Sequence, residues 1–190
     1  MVSAIRIQDR DLLSRLNSYL EGLDSYLREG IGWLIFNADR QRTARIVNFM
    51  VDILKGRQPP VGFTLMPWRD FAMNAYMLKI ELAHQPRQAE GGDPKVAHEY
   101  RIATHVSLEL YRQMVEQSLI IITGLVPHHP HEAVHLDEIL DHRVQHRQAT
   151  VIITPRMPDQ LAADFEAIDP SKRLWQRIFS RLYETSLIAF

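Results

Sequence analysis

The 190-residue sequence contains no cysteine, which excludes a disulfide scaffold, a thiolate zinc finger, an iron–sulfur centre and a cysteine nucleophile. A reducing cytoplasm suits such a chain. It also lacks long apolar runs: none approaches the ~20 residues of a membrane span. Charges scattered through the first twenty residues, MVSAIRIQDRDLLSRLNSYL, break the apolar core that a signal peptide needs. Neither membrane insertion nor export is expected. Net charge is nearly absent too, at −1 from 22 Lys+Arg against 23 Asp+Glu, so the surface as a whole is not a nucleic-acid footprint. Lysine is scarce, with 4 against 18 arginines. Arginine favours planar, bidentate contacts with phosphate or carboxylate, which leaves room for local anion sites and for DNA contact through Arg side chains. No GxSxG nucleophile elbow occurs.

What is present is one foldable domain. The chain is 46% hydrophobic, and its length matches the ~150 residues typical of a domain plus a short extension. Leu12, Leu13, Leu16, Tyr19, Leu20, Leu23 and Leu27 recur at three- and four-residue steps, predicting an amphipathic helix over 9–28 that ends at Gly30 and Gly32. An N-terminal helical piece, 1–30, is therefore expected to pack on a domain spanning 31–190. A wholly apolar run follows at 33–36, and largely apolar runs at 61–65, 119–122, 151–154 and 186–190. Helical patterns separate them at about 40–54, 68–82, 105–117 and 131–146, with one or two short helices over 158–183. Runs apolar at every position signify strands buried on both faces, hence a parallel sheet covered by helices. The expected fold is a three-layer α/β domain on five strands. The Pro/Gly/charged stretch 85–97 reads as a surface loop.

Several segments resemble those of bacterial replicative-helicase loaders and their transposition relatives, the DnaC and IstB type of AAA+ ATPase. They are Gly32-Trp33-Leu34-Ile35-Phe36, Leu119-Ile120-Ile121-Ile122, Ala149-Thr150-Val151-Ile152-Ile153-Thr154 and Ser180-Arg181-Leu182, in the family's order. The resemblance implies a P-loop NTPase-like fold with a mainly parallel five-stranded sheet and a helical lid that is reduced or absent. It also places the departures. A phosphate loop needs glycines, so that successive backbone N–H groups turn inward, plus Lys for charge and Ser/Thr for magnesium. Residues 37–43 read NADRQRT, with neither glycine nor lysine. With one residue deleted, Arg42-Thr43 takes the Lys-Thr places; without the deletion, Thr43-Ala44 does. The Walker B strand of the family ends in carboxylates for magnesium and water; this one ends Ile122-Thr123-Gly124. Where the family places a sensor Asn, Thr154-Pro155-Arg156 stands. Three elements of hydrolysis are missing together. The resemblance thus implies a pseudo-ATPase without a required cofactor, binding ATP or ADP weakly or not at all. It would act in replication, recombination or transposition through a partner such as a replicative helicase, an active AAA+ ATPase or another copy of itself. Arg181 falls at the family's arginine finger; the plainer alternative is a helix-surface Arg beside Arg177.

Other constellations compete. Arg40, Arg42 and Arg45 cluster at a helix start, where N–H groups and the dipole favour anions; such residues suit a nucleotide sensor without turnover, or simply pair with Asp39 or Asp52. His131-Glu132-Ala133-Val134-His135 matches HExxH, which on a helix sets two His on one face for zinc with Glu to activate water, and His142 is a candidate third ligand. A zinc hydrolase is the rival reading. Yet nine His raise the odds of a chance match, and the segment coincides with the helix after Walker B. Trp33 and Trp68 are expected in the core. Met66, Met73 and Met77 suggest packing or an adaptable contact surface. Asp137, Glu138 and Asp141 read as a polar helix face.

Overall fold

The computed structural model describes residues 7–84 and 94–190. The five apolar runs form one sheet: β1 (Gly32–Ile35), β2 (Phe63–Pro67), β3 (Leu119–Thr123), β4 (Ala149–Ile153) and β5 (Ser186–Ala189). All pairings are parallel and the order is β2-β3-β4-β1-β5. The central strands β1 and β4 are buried along their whole length. β2, at an edge, is largely half-exposed, because one flank and part of its faces have no neighbouring strand or helix. It also begins at Phe63, later than its apolar run, since the ladder with β3 starts at Phe63↔Leu119.

Alternation along the strands sorts the core onto two faces. Leu34, Ile120, Ile122 and Ile152 point one way, against Phe71 of α4 (Trp68–Tyr76), Met114 of α6 (Pro94–Glu116), Leu136 of α7 (Pro130–Gln145), Phe165 of α8 (Pro158–Ile168) and Leu182 of α9 (Arg173–Thr185). Trp33, Ile35, Ile121 and Val151 point the other way, against Leu16 and Tyr19 of α1 (Ile7–Glu21), Leu23 of α2 (Leu23–Glu29) and Ile46 and Met50 of α3 (Arg40–Gly56). Trp33 and Trp68 are both core residues, as expected.

Several boundaries differ from the sequence reading. The single helix expected over 9–28 is two, interrupted at Gly22. Gly30 then closes α2 in the left-handed conformation (φ 72°), which a β-carbon would strain. Gly32 answers to a different constraint: a β-carbon there would lie 1.8 Å from the Thr150 carbonyl oxygen of β4. The helix expected over 68–82 is α4 followed by a π-helical turn, Met77–Glu81, and the short α5 (Leu82–His84). α6 is much longer than the expected 105–117. It opens at Pro94, a residue suited to the first helical position, so 94–97 is helix rather than loop. The rest of that expected loop, 85–93, lies outside the described residues.

Candidate functional site

The loop after β1 and the start of α3 lie at the carboxyl end of the sheet, where open α/β folds bind ligands. Here that place is filled by the chain itself. The Asn37 N–H donates to the Arg156 carbonyl at 3.0 Å and the Ala38 N–H to Thr154 at 2.9 Å. Asn37 adopts φ 53° to make the turn. Asp39 caps α3, its carboxylate accepting the Arg42 N–H at 2.7 Å. A helix N-terminus is an anion site only while its amides face an incoming anion. In this loop two amides are spent on β4-side carbonyls, and a resident carboxylate occupies the helix cap.

The Arg42 side chain completes the closure. Its Nε donates to Asp9 at 3.0 Å, its Nη1 to the Phe36 and Asn37 carbonyls at 3.1 and 3.0 Å, and its Nη2 to the Phe190 main-chain oxygen at 2.8 Å. Arg42 and Asp9 are both buried. The pair ties α1, α3 and the end of β5 together. Arg45 reaches the second Asp9 oxygen at 2.7 Å from a half-exposed position, and Arg40 is exposed. Thr43, whose hydroxyl would face magnesium in a phosphate loop, donates it to the Ala38 carbonyl at 3.1 Å. Sequence reasoning expected Asp39 or Asp52 as the partners of these arginines. The partner of the buried guanidinium is Asp9, which lies 33 residues before Arg42 and carries no local signal of the contact.

The remaining positions surround the same end of the sheet. Thr123 ends β3, and Gly124 turns with φ 74°, its N–H bonded to the Ile153 carbonyl at 2.7 Å. Arg156 directs its Nε to Asp164 at 2.7 Å. Arg181 forks onto α7, donating to Asp137 and, at 2.6 Å, to Asp141, while Arg177 holds the other Asp137 oxygen at 2.6 Å. Asp137 is therefore a buried hub between α7 and α9 and not part of a solvated face, as its helix position had suggested. In this arrangement Arg181 is engaged within its own chain.

The residues of the HExxH segment serve separate ends. Glu132 is buried and accepts the His128 N–H at 2.8 Å, fastening the start of α7. His131 stacks on His129 and packs edge-on against Tyr76. His135 is fully buried against Phe71 and Tyr111, with Nε2 3.2 Å from the Asn74 side-chain oxygen. Burial pulls its pKa down to about 4 and also lowers that of His131. His142 stacks on His146, and burial lowers its pKa as well. Among the described residues no three His, Asp or Glu side chains are grouped so as to hold a metal ion. Two participants lacked any sequence signal: Asn74, and Arg143, whose buried guanidinium bonds Thr150 and the carbonyls of Met114, Gln117 and Ala149.

The strand order, the loop-to-helix passage after β1 and the two helical layers make a P-loop NTPase-like α/β fold. Solved structures with this architecture include a DnaC helicase loader (TM-score 0.65, 13% identity, 99% of this chain and 93% of that one). A protein designated a primosome component from Streptococcus pyogenes serotype M3 is equally similar, with TM-score 0.65, 11% identity, and 99% and 82% coverage. AMPPCP-bound DnaA from Aquifex aeolicus follows at TM-score 0.61 and 12% identity; 98% of this chain matches 48% of that one. No family model and no curated protein matches the sequence. No helix among the described residues is long and apolar enough to cross a membrane.

Proposed function

We propose that this chain is a catalytically inactive, AAA+-like interaction or regulatory protein. It acts in DNA replication, recombination or transposition through a protein partner, such as a replicative helicase or an active AAA+ ATPase, binds ATP weakly or not at all, and does not hydrolyse it. One observation carries the inactive part: the segment that would cradle phosphates is satisfied internally. Asp39 holds the helix cap, the Asn37 and Ala38 amides bond to carbonyls, and Arg42 is caged by Asp9 and three main-chain oxygens. A nucleotide would have to displace each of these, bring its phosphates against the Asp39 carboxylate, and find no acidic residue at the end of β3 to hold magnesium. The part concerning replication rests on the fold shared with a helicase loader, a primosome component and DnaA.

Titration calorimetry with ATP and ADP in magnesium tests the first part. No saturable heat is expected up to about 1 mM ligand, and saturable binding near micromolar would overturn it. Affinity purification from the native host tests the second. Recovery of a replication or transposition protein is expected; recovery of metabolic enzymes alone would sink it.

A further inference from the structure

α4 and its π-helical turn run alongside α6, with Asn74 bonded to the Ser107 carbonyl at 2.9 Å where the two meet. Between them lies a groove of about 370 Å³ walled by Met73, Met77, Ala103, Val106 and Leu110. Met73 is 58% exposed, Val106 51%, and Ile102, one turn before Val106, 52%. Met73 and Val106 bring exposed apolar surface together across one groove, so that it forms a patch and not a set of isolated side chains. The floor makes no polar demand. The Asn74 amide nitrogen is bonded to Ser107, and its oxygen to His135 Nε2 at 3.2 Å.

Acidic residues stand near both ends of the groove, and Lys95, one turn before Glu99 on α6, already has a partner of its own. Asp70 lines it at one end and is exposed, with no ion pair among the described residues. Glu99 precedes Ile102 and Ala103 by three and four residues, so it shares their face of α6 toward the other end; it too is exposed, with no ion pair among the described residues. The neighbouring basic residue Lys79 is bound to Glu138 of α7. Arg69 and Arg101 lie about 100° further round their helices than Asp70 and Ile102, away from the groove.

We infer that this groove is a docking site for a basic amphipathic helix of a partner protein. That helix sets apolar side chains at i, i+4 and i+7 between α4 and α6 and places Lys or Arg against Asp70 and Glu99. An apolar trough between two helices is the geometry in which helix-in-groove recognition works. Methionine walls adapt to the shape of the incoming side chains. The acidic ends set the preference for a basic occupant. The inference goes beyond the proposed function in naming the surface and the chemistry of what it takes, and it does not depend on the state of the nucleotide loop.

The probe is a fluorescent 18-residue helical peptide with Leu at i, i+4, i+7 and i+11 and Lys beside both ends of that stripe. Its counterpart carries Glu in place of Lys. Fluorescence anisotropy with the whole chain is expected to give saturable binding of the Lys peptide at about 10–100 μM, tenfold or more tighter than the Glu peptide. Asp70→Lys should narrow that preference at least fivefold, and Val106→Glu should abolish binding. Both positions are exposed, so circular dichroism should report an unchanged fold. Equal affinity for the two peptides, or binding that survives Val106→Glu, would overturn the proposal. So would a wild-type dimer in sedimentation that Val106→Glu converts to monomer, since a second copy would then be the occupant. Nucleotide binding in calorimetry would refute the inactive-ATPase reading and leave this result untouched.

Discussion

Replacing Arg42 with methionine is the perturbation that reads the caged loop most directly. Methionine keeps the apolar stem and removes the guanidinium, so four side-chain hydrogen bonds disappear while their acceptors stay. Breaking a buried ion pair by removing one partner costs about 3–5 kcal/mol, mostly because the remaining charge is left desolvated. Two features of the site pull the loss toward the lower end. Asp9 keeps Arg45 at 2.7 Å, and the Asn37 and Phe190 oxygens are only partly buried, so water can replace the lost donor. A loss of about 3 kcal/mol is therefore expected, equivalent to a fall of about 6–12 °C in Tm for a domain of this size. Urea unfolding of the Arg42→Met, Asp9→Asn and double variants closes the cycle. The double variant should lose at least about 1 kcal/mol less than the sum of the singles, because the two groups share one interaction. If Arg42→Met stays within about 0.5 kcal/mol of the parent, or the cycle is additive, the guanidinium is not a structural plug and the reason given for the loop's closure is wrong.

Three other outcomes follow from buried groups. His135 has a pKa of about 4 in the fold against an ordinary 6.5, so between these values the unfolded chain binds a proton that the folded chain does not. Stability then falls as pH drops from 6.5 toward 4, by about 2 kcal/mol between pH 7 and 5. His135→Gln, which retains a donor toward Asn74, should flatten that slope by a similar amount in paired urea titrations; parallel slopes would contradict the assignment. Gly32→Ala must push backbone from backbone at Thr150, and a loss above about 4 kcal/mol or failure to fold is expected; a melting temperature within about 2 °C of the parent would show that β1 and β4 can separate. Arg143→Leu strands the carbonyls of Met114, Gln117 and Ala149 and should cost about 3 kcal/mol or more, measurable as a lower urea midpoint, whereas an unchanged midpoint would mean that water enters to serve them.

The sheet was legible in the sequence because burial on both faces writes itself as consecutive apolar residues. Leu119-Ile120-Ile121-Ile122 and Val151-Ile152-Ile153 need no partner information to be read as interior strands, and the loop NADRQRT shows its lack of glycine and lysine by inspection. The helix pattern was legible to within a few residues except at the π-helical turn, where local signals were silent, and at the start of α6, where Pro94 suits a helix start as well as a loop. The HExxH spacing was visible too. What spacing cannot express is direction: His135 turns inward to Asn74, 61 residues away, while Glu132 turns back to the His128 amide.

By itself, then, the sequence determined the layers, the strand succession and a loop after β1 without glycine or lysine, since these depend on composition and periodicity within short windows. Only the tertiary structure decided what the remaining arginines do. From sequence, Arg42 and Arg181 read either as groups awaiting a phosphate or as arginines of a helix surface. In the fold the first is caged by Asp9 and the Phe190 oxygen and the second is forked onto Asp137 and Asp141. A buried or half-buried guanidinium must be satisfied by whatever acceptors the fold brings to it, and Asp9 and Phe190 reach Arg42 from 33 and 148 residues away.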